Sequence, residues 1–423
     1  MDITIEKLVY GGEGLAHHDG STVFVPFVLP AERVSAAPIE HNKKFVRARV
    51  ERLLEAAPER TPARCPHYGV CGGCHYQHIP YQAQLTFKTE ILRETLRRIG
   101  RIHWSGEIVV HPSPPWGYRN RAQWKIRASR PAGPSGLAIG YFRQNSTTLC
   151  PIEECAILSP LLAKTLVAMR AALAERAIPP ELREIEAFAG ANDTRLLVTA
   201  TFAGFPSRRQ QLADTLRRVV PAIQSLLFHD PQSERMELDG PGYVESEAAG
   251  FDYRVGHLSF FQVNRFLVSE LAGEVAQSAD GGQTVFDLFA GVGLFSALLA
   301  KRFERVVAVE ANPAAARDLE TNASGHGIEI RNVAVERFLE KCRESPDLVV
   351  LDPPRAGLSR ELIGHLARMA PRRITYVSCE PPTLARDLAA LDKAGYEISR
   401  LHLFDLFPQT FHIESVASLS RRL

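Results

Sequence analysis

Thr284-Val-Phe-Asp-Leu-Phe-Ala-Gly-Val-Gly-Leu-Phe-Ser-Ala-Leu298 decides the fold class. An apolar run of strand length passes through two close glycines into a helix-like stretch. Gly291 and Gly293 let the backbone turn sharply and approach a ligand closely. Further short apolar runs follow at 306–310, 348–352 and 374–378, separated by helical lengths. Such alternation predicts an open parallel sheet flanked by helices, with its ligand crevice at the carboxyl ends of the strands. The predicted class is α/β, with a Rossmann-like domain over 257–423.

Working outward, Glu310 ends the next strand, nineteen residues past Gly291. A carboxylate there suits the two hydroxyls of a ribose. Both NAD and S-adenosylmethionine carry that ribose. Ser296 occupies the place of the third glycine of the dinucleotide fingerprint, so the cradle for a pyrophosphate is poorer and S-adenosylmethionine is favoured. Asp352-Pro353-Pro354 follows the third strand in a loop stiffened by two prolines. Cys379 follows the fourth, in Val377-Ser-Cys-Glu-Pro-Pro-Thr383, with a helical stretch after it. A thiol at a helix's positive end is expected to have a lowered pKa and to act as a nucleophile.

Residues 1–57 read as short strands with glycine turns, which predicts a small OB-like β-barrel. Residues 58–66 read as a linker. A central α+β region over 58–256 then mixes strands at 122–128, 137–142 and 195–202 with helices at 81–99, 161–174 and 207–219. Cys65, Cys71 and Cys74 lie within ten residues of sequence, and Cys150 or Cys155 supplies a fourth thiol. Four thiolates hold zinc or an iron–sulfur cluster. The wide gap before the fourth favours a four-iron cluster.

The chain has 423 residues, 45% hydrophobic and 23% charged, a globular composition of two or three domains. Residues 61–145 hold twelve Lys and Arg against three Asp and Glu, although the whole chain is only +2. That local excess predicts a polyanionic partner. Within it, Trp116-Gly-Tyr-Arg-Asn-Arg-Ala-Gln-Trp-Lys125 interleaves aromatics with cations and is expected to touch RNA. No apolar run approaches the roughly 18 residues of a membrane span. The amino terminus lacks a secretory signal, and a cytoplasmic location is expected.

These motifs together resemble the S-adenosylmethionine-dependent RNA uracil-5 methyltransferases, in particular the iron–sulfur members acting on 23S ribosomal RNA. Val9-Tyr-Gly-Gly-Glu-Gly-Leu-Ala16 resembles that family's TRAM domain, and Cys71-Gly-Gly-Cys-His-Tyr-Gln-His-Ile79 its cluster region. Phe260-Phe-Gln-Val-Asn264, 287–293, 352–357, 378–388 and Phe407-Pro-Gln-Thr-Phe-His-Ile-Glu-Ser415 resemble its methyltransferase motifs, in order. The resemblance implies a TRAM-like barrel at 1–57, Cys379 as nucleophile and Glu414 as general base. Gln262, Phe289, Gly291, Gly293, Glu310 and Asp352 would contact the cofactor. Cys65, Cys71, Cys74 and Cys155 would bind a 4Fe-4S cluster. The chain departs from the family at Glu380 (usually Asn), at Gln409 (usually His) and at Ala334 (often polar). A carboxylate beside the nucleophile is expected to raise its pKa.

The implied reaction is C5 methylation of a uridine. RNA is the expected partner, with no membrane and no obligate protein partner. Uridine in a tRNA T-loop is the nearest alternative substrate. A noncatalytic RNA-binding assembly factor and an NAD-linked oxidoreductase are the alternatives of other classes.

Overall fold

The computed structural model describes residues 1–128, 136–278 and 280–422. Residues 129–135, 279 and 423, which fall in the expected central and carboxyl-terminal regions, lie outside them. Among the described residues no helix is long and apolar enough to cross a membrane.

Gly282–Leu288 forms the predicted strand and pairs in parallel with Phe303–Val309 on one side and Leu348–Leu351 on the other. Among the described residues the sheet has eight strands. Its order is Ile328–Arg331, Phe303–Val309, Gly282–Leu288, Leu348–Leu351, Arg373–Ser378, Glu414–Arg421, Tyr396–Phe404 and Val109–His111. The order in which successive strands are added reverses at Gly282–Leu288, so the loops after it and after Leu348–Leu351 splay apart and leave a crevice between them. Glu414–Arg421 runs antiparallel to both neighbours, with Ser378 opposite Ser415 and Phe404 opposite Glu414. The strands are apolar on both faces: Val285, Val306, Val350 and Val377 pack into one core, and Phe286, Val307, Val349 and Tyr376 into another.

The edge strand Val109–His111 comes from the first third of the chain and pairs in parallel with Tyr396–Phe404. Its three residues are too few to carry a readable alternation in sequence.

Residues 1–55 fold into one sheet ordered Asp2–Thr4, Arg33–His41, Phe45–Glu55, Ser21–Pro26, Glu13–His18 and Lys7–Leu8. Ile3, Val23, Val25, Val34, Ala36 and Ala48 alternate into its core. The two edge strands are neighbours in sequence, and register shifts between Arg33–His41 and Phe45–Glu55 bend the sheet. The expected barrel is thus a strongly curled sheet.

Central strands Arg121–Ala128, Leu137–Phe142 and Arg195–Phe202 belong to a seven-stranded sheet covered by helices Pro160–Ala174 and Arg209–Val219. The helix expected at 81–99 is α-helical over Tyr81–Thr95 and then widens into a π turn, Leu96–Gly100. Leu85, Ile91, Leu92 and Leu96 are buried, but Ile99 is 50% exposed. The wider turn rotates Ile99 off the apolar stripe. Within this helix Lys88 is fully buried and donates to Asp405 Oδ1 at 2.6 Å, tying it to the carboxyl-terminal domain.

Candidate active site

The glycine turn begins where Gly282–Leu288 ends. Phe289, Gly291 and Gly293 all have positive φ, at 65°, 56° and 90°. Such a φ is uncommon for a bulky residue, and strain of this kind persists where surrounding structure fixes it. A Cβ on Gly291 would meet nothing within 4 Å, so the space above the turn is open to a ligand. A Cβ on Gly293 would lie 2.6 Å from Leu319. Glu310 locks the turn: its Oε2 accepts from the Gly291 amide at 2.8 Å and its Oε1 from the Asn312 amide at 2.6 Å. Asp352 leaves the adjacent strand, its amide donating to the Leu288 carbonyl at 3.4 Å.

Cys379 leaves Arg373–Ser378 and Glu414 opens Glu414–Arg421. Because Ser378 pairs with Ser415, the register sets Cys379 opposite Glu414. Arg355, from the Asp-Pro-Pro-Arg loop, acts as a counter-charge on both the thiol and Glu414. Gln262 is buried in the loop after strand Phe251–Gly256; Asn120 fixes that loop by donating its side-chain amide to the Gln262 carbonyl and its backbone amide to the Val263 carbonyl.

Electrostatics correct one expectation. The Cys379 thiol is not lowered but pushed up to about 11, chiefly by burial and then by Glu414, with Arg355 pulling the other way. Burial of the sulfur at the start of helix Pro381–Lys393 is the largest influence on it. Glu414 is held far above the usual carboxylate range by burial and by Asp352. Burial likewise pushes Asp352 and Asp287 up to about 7. Asp287 accepts from the Ser296 hydroxyl through one oxygen, while the other is buried without a partner. The cleft therefore gathers carboxyl groups short of positive charge. A sulfonium-bearing ligand suits it, and the open glycine turn beside Glu310 suits an adenosine ribose. The sequence reading singled out neither Asp287 nor Arg355, although both lie within its quoted motifs.

A second cluster lies apart. Cys65, Cys71, Cys74 and Cys155 line one cavity of about 110 Å³, with Tyr68, Tyr141 and Arg119. All four are free thiols. Burial first, and neighbouring sulfurs after it, push Cys71 and Cys74 up to about 12 and Cys155 to about 11. Cys150 lies in strand Leu149–Pro151 and does not line the cavity. Among the described residues, no three His, Cys, Asp or Glu side chains gather closely enough to hold one metal ion. Gln409 joins this region to the cleft. Its carbonyl accepts from the His75 and Tyr76 amides, and Gln84 grips its amide and side chain.

The aromatic and basic stretch 116–125 is corrected in part. Tyr118 and Trp124 are core residues, and Arg121 and Lys125 pair across the sheet with Glu186 and Glu184. Strand alternation turned the aromatics inward and the opposite strand neutralised the cations.

The family model described as tRNA (Uracil-5-)-methyltransferase matches residues 80–422. The chain is 35% identical over 430 residues to an uncharacterized RNA methyltransferase of Aquifex aeolicus, covering 99% of this chain and 98% of that one. It is 34% identical over 434 residues to 23S rRNA (uracil(1939)-C(5))-methyltransferase RlmD of Salmonella paratyphi A, covering 100% and 96%. Among solved structures, the Pyrococcus abyssi tRNA (uracil-54, C5)-methyltransferase in complex with S-adenosyl-L-homocysteine superposes with a TM-score of 0.77 at 27% identity, covering 99% and 100%. These matches displace the oxidoreductase and noncatalytic readings. With its glycine turn, acidic cleft and family match, the chain belongs to the RNA uracil-5 methyltransferases and is an S-adenosylmethionine-dependent enzyme.

Proposed function

We propose that this enzyme methylates C5 of a uridine in 23S ribosomal RNA by covalent catalysis, with Cys379 as nucleophile and Glu414 as general base. The observation that carries this is the register placing Cys379 opposite Glu414 at the carboxyl edge of the sheet, beside the glycine turn.

Uracil C5 is too poor a nucleophile to take a methyl group unaided. The Cys379 thiolate forms a bond to C6, and the C5–C6 electron pair moves toward the C4 carbonyl. C5 then attacks the methyl group that the bound donor carries on its sulfonium, and the donor leaves as a neutral thioether. Glu414 takes the C5 proton, the C5–C6 double bond reforms and the C6–S bond breaks. The donor's positive charge draws Cys379, Asp352 and Glu414 alike toward their anions. Gln262, Phe289, Gly291, Gly293, Glu310 and Asp352 hold that donor. The target base leaves its stack to reach the thiol.

Ribosomal RNA is favoured by the 34% identity to the Salmonella enzyme over nearly its whole length. The tRNA reading stands second on the Pyrococcus structure. We further assign a 4Fe-4S cluster to Cys65, Cys71, Cys74 and Cys155. Four thiols lining one cavity suit such a group.

The test offers 5-fluorouridine-substituted 23S rRNA and tRNA transcripts together with methyl donor. We expect a covalent RNA adduct, mapped to Cys379, with the ribosomal transcript. No adduct with either transcript overturns the covalent route, and an adduct with tRNA alone overturns the substrate.

A further inference from the structure

Tyr10 stands in the glycine turn of the curled sheet, where Gly11 and Gly12 have φ of 108° and 86°. The turn is pressed against the loop that leads to Glu414. A Cβ on Gly12 would lie 3.0 Å from the Phe411 ring and 3.3 Å from His75 Cβ. The Tyr10 ring packs edge-on against Phe411, with centroids 5.5 Å apart. Its hydroxyl is buried and makes no hydrogen bond. The charged group that acts on it most strongly is Glu380, with Arg355 and Cys379 beyond. Tyr10 and Pro382 also line one groove between the curled sheet and helix Tyr81–Thr95, which brings the turn to the nucleophile's loop.

The Glu380 backbone is fixed. Its amide donates to Ser378 Oγ at 3.3 Å and its carbonyl accepts from the Leu384 amide at 2.9 Å. Its side chain lies close enough to the Tyr10 hydroxyl to act on it. An ionised carboxylate turned toward the adjacent sulfur would oppose thiolate formation. The charges bearing most on Cys379 are instead Glu414, Arg355 and Asp352.

We propose that Tyr10 is a positioning residue of the methylation site, whose hydroxyl hydrogen-bonds the Glu380 carboxylate and holds that charge off the Cys379 sulfur. Rotation about the Glu380 side-chain bonds closes the contact, and a charge-assisted bond of this type is among the stronger ones. The curled sheet thereby completes the active site instead of only delivering RNA to it. This inference rests on the nucleophile reading above.

Tyr10→Phe removes one oxygen and keeps the ring on Phe411. The readout is alkylation of Cys379 by iodoacetamide against pH, followed on the Cys379 peptide by mass spectrometry, together with single-turnover methylation. Glu414, Asp352 and Arg355, which face the thiol from neighbouring elements, stay unchanged. We expect Tyr10→Phe to slow alkylation near neutral pH about tenfold, the equivalent of one pH unit. Methylation should slow in parallel with little change in KM. Glu380→Gln should rescue Tyr10→Phe, because a neutral side chain needs no restraint; a misfolded variant could not be rescued this way. An unmoved alkylation profile, or a Tyr10→Phe effect of equal size with and without Glu380→Gln, overturns the proposal. Alkylation reads the thiol's surroundings whatever its role, whereas methylation by Cys379→Ala would overturn the nucleophile reading itself.

Discussion

The chain keeps half-buried thiols in two settings, and their neighbours set them apart. In the cavity, Cys71, Cys74 and Cys155 are pushed up by burial and then by neighbouring sulfurs, Cys65 among them, with Arg119 as a counterweight for Cys155. At the cleft, Cys379 is pushed up by burial and by carboxyl groups, while the Arg355 charge pulls the other way. The first setting gains most from a shared cation that turns several thiols into thiolates at once. The second suits a single sulfur that ionises when a positively charged donor arrives, and releases its adduct afterwards. On the proposed reading, half-buried thiols thus serve as a ligand set in one place and as a nucleophile in the other.

The sharpest way to break that contrast is Cys379→Ala. Methylation should fall by roughly 10⁴ or more, as loss of a nucleophile does elsewhere, while calorimetry shows donor binding within a few-fold. Retained turnover would reduce Cys379 to one more buried thiol. Glu414→Gln should lower turnover by about 10²–10⁴, the usual worth of a general base, and let the RNA adduct accumulate on denaturing gels. A rate loss without adduct would place Glu414 before the covalent step.

Cys74→Ser tests the other setting. Anaerobically purified protein should hold about four irons per chain with visible absorbance, and the variant far less iron, while Cys379 alkylation stays near that of the parent. A colourless parent protein with one zinc per chain would overturn the cluster. A pH series sharpens the comparison. Cys379 alkylation should rise about tenfold per pH unit through the range below its pKa of about 11. S-adenosylmethionine should accelerate it at fixed pH, and uncharged-sulfur S-adenosylhomocysteine should not.

The smallest effect concerns Asp287, raised from 3.8 to about 7 by burial. The folded chain holds a proton that the unfolded chain gives up. The stability this confers is complete below about pH 4 and lost as pH rises through 7. Asp287→Asn should flatten that stretch of the stability–pH curve in thermal melts. An unchanged slope would mean that Asp287 ionises freely.

Much of the site was legible because strand ends share an edge. Once 284–298 was read as strand, turn and helix, the residues ending the next strands had to converge, which brings Glu310, Asp352 and Cys379 together. Glu414 was legible only through its motif, since an antiparallel strand inserted beside Arg373–Ser378 leaves no trace in alternation. The raised thiol was not legible, because desolvation depends on atoms far apart in sequence. Nor was the fate of Trp124, whose inward face follows from pairing between Arg121–Ala128 and Leu182–Gly190. Tyr10 reaches the cleft only because the curled sheet lays its turn on Phe411.

The pairing of Ser378 with Ser415 has a wider consequence. Side chains on a strand alternate between faces, so a slip of one step would send Glu414 to the far side of the sheet. Such a molecule would keep its hydrogen-bond ladder and its circular dichroism, yet lose its chemistry. Insertions or deletions between 405 and 413 are therefore the lesions most apt to yield well-folded but inert protein.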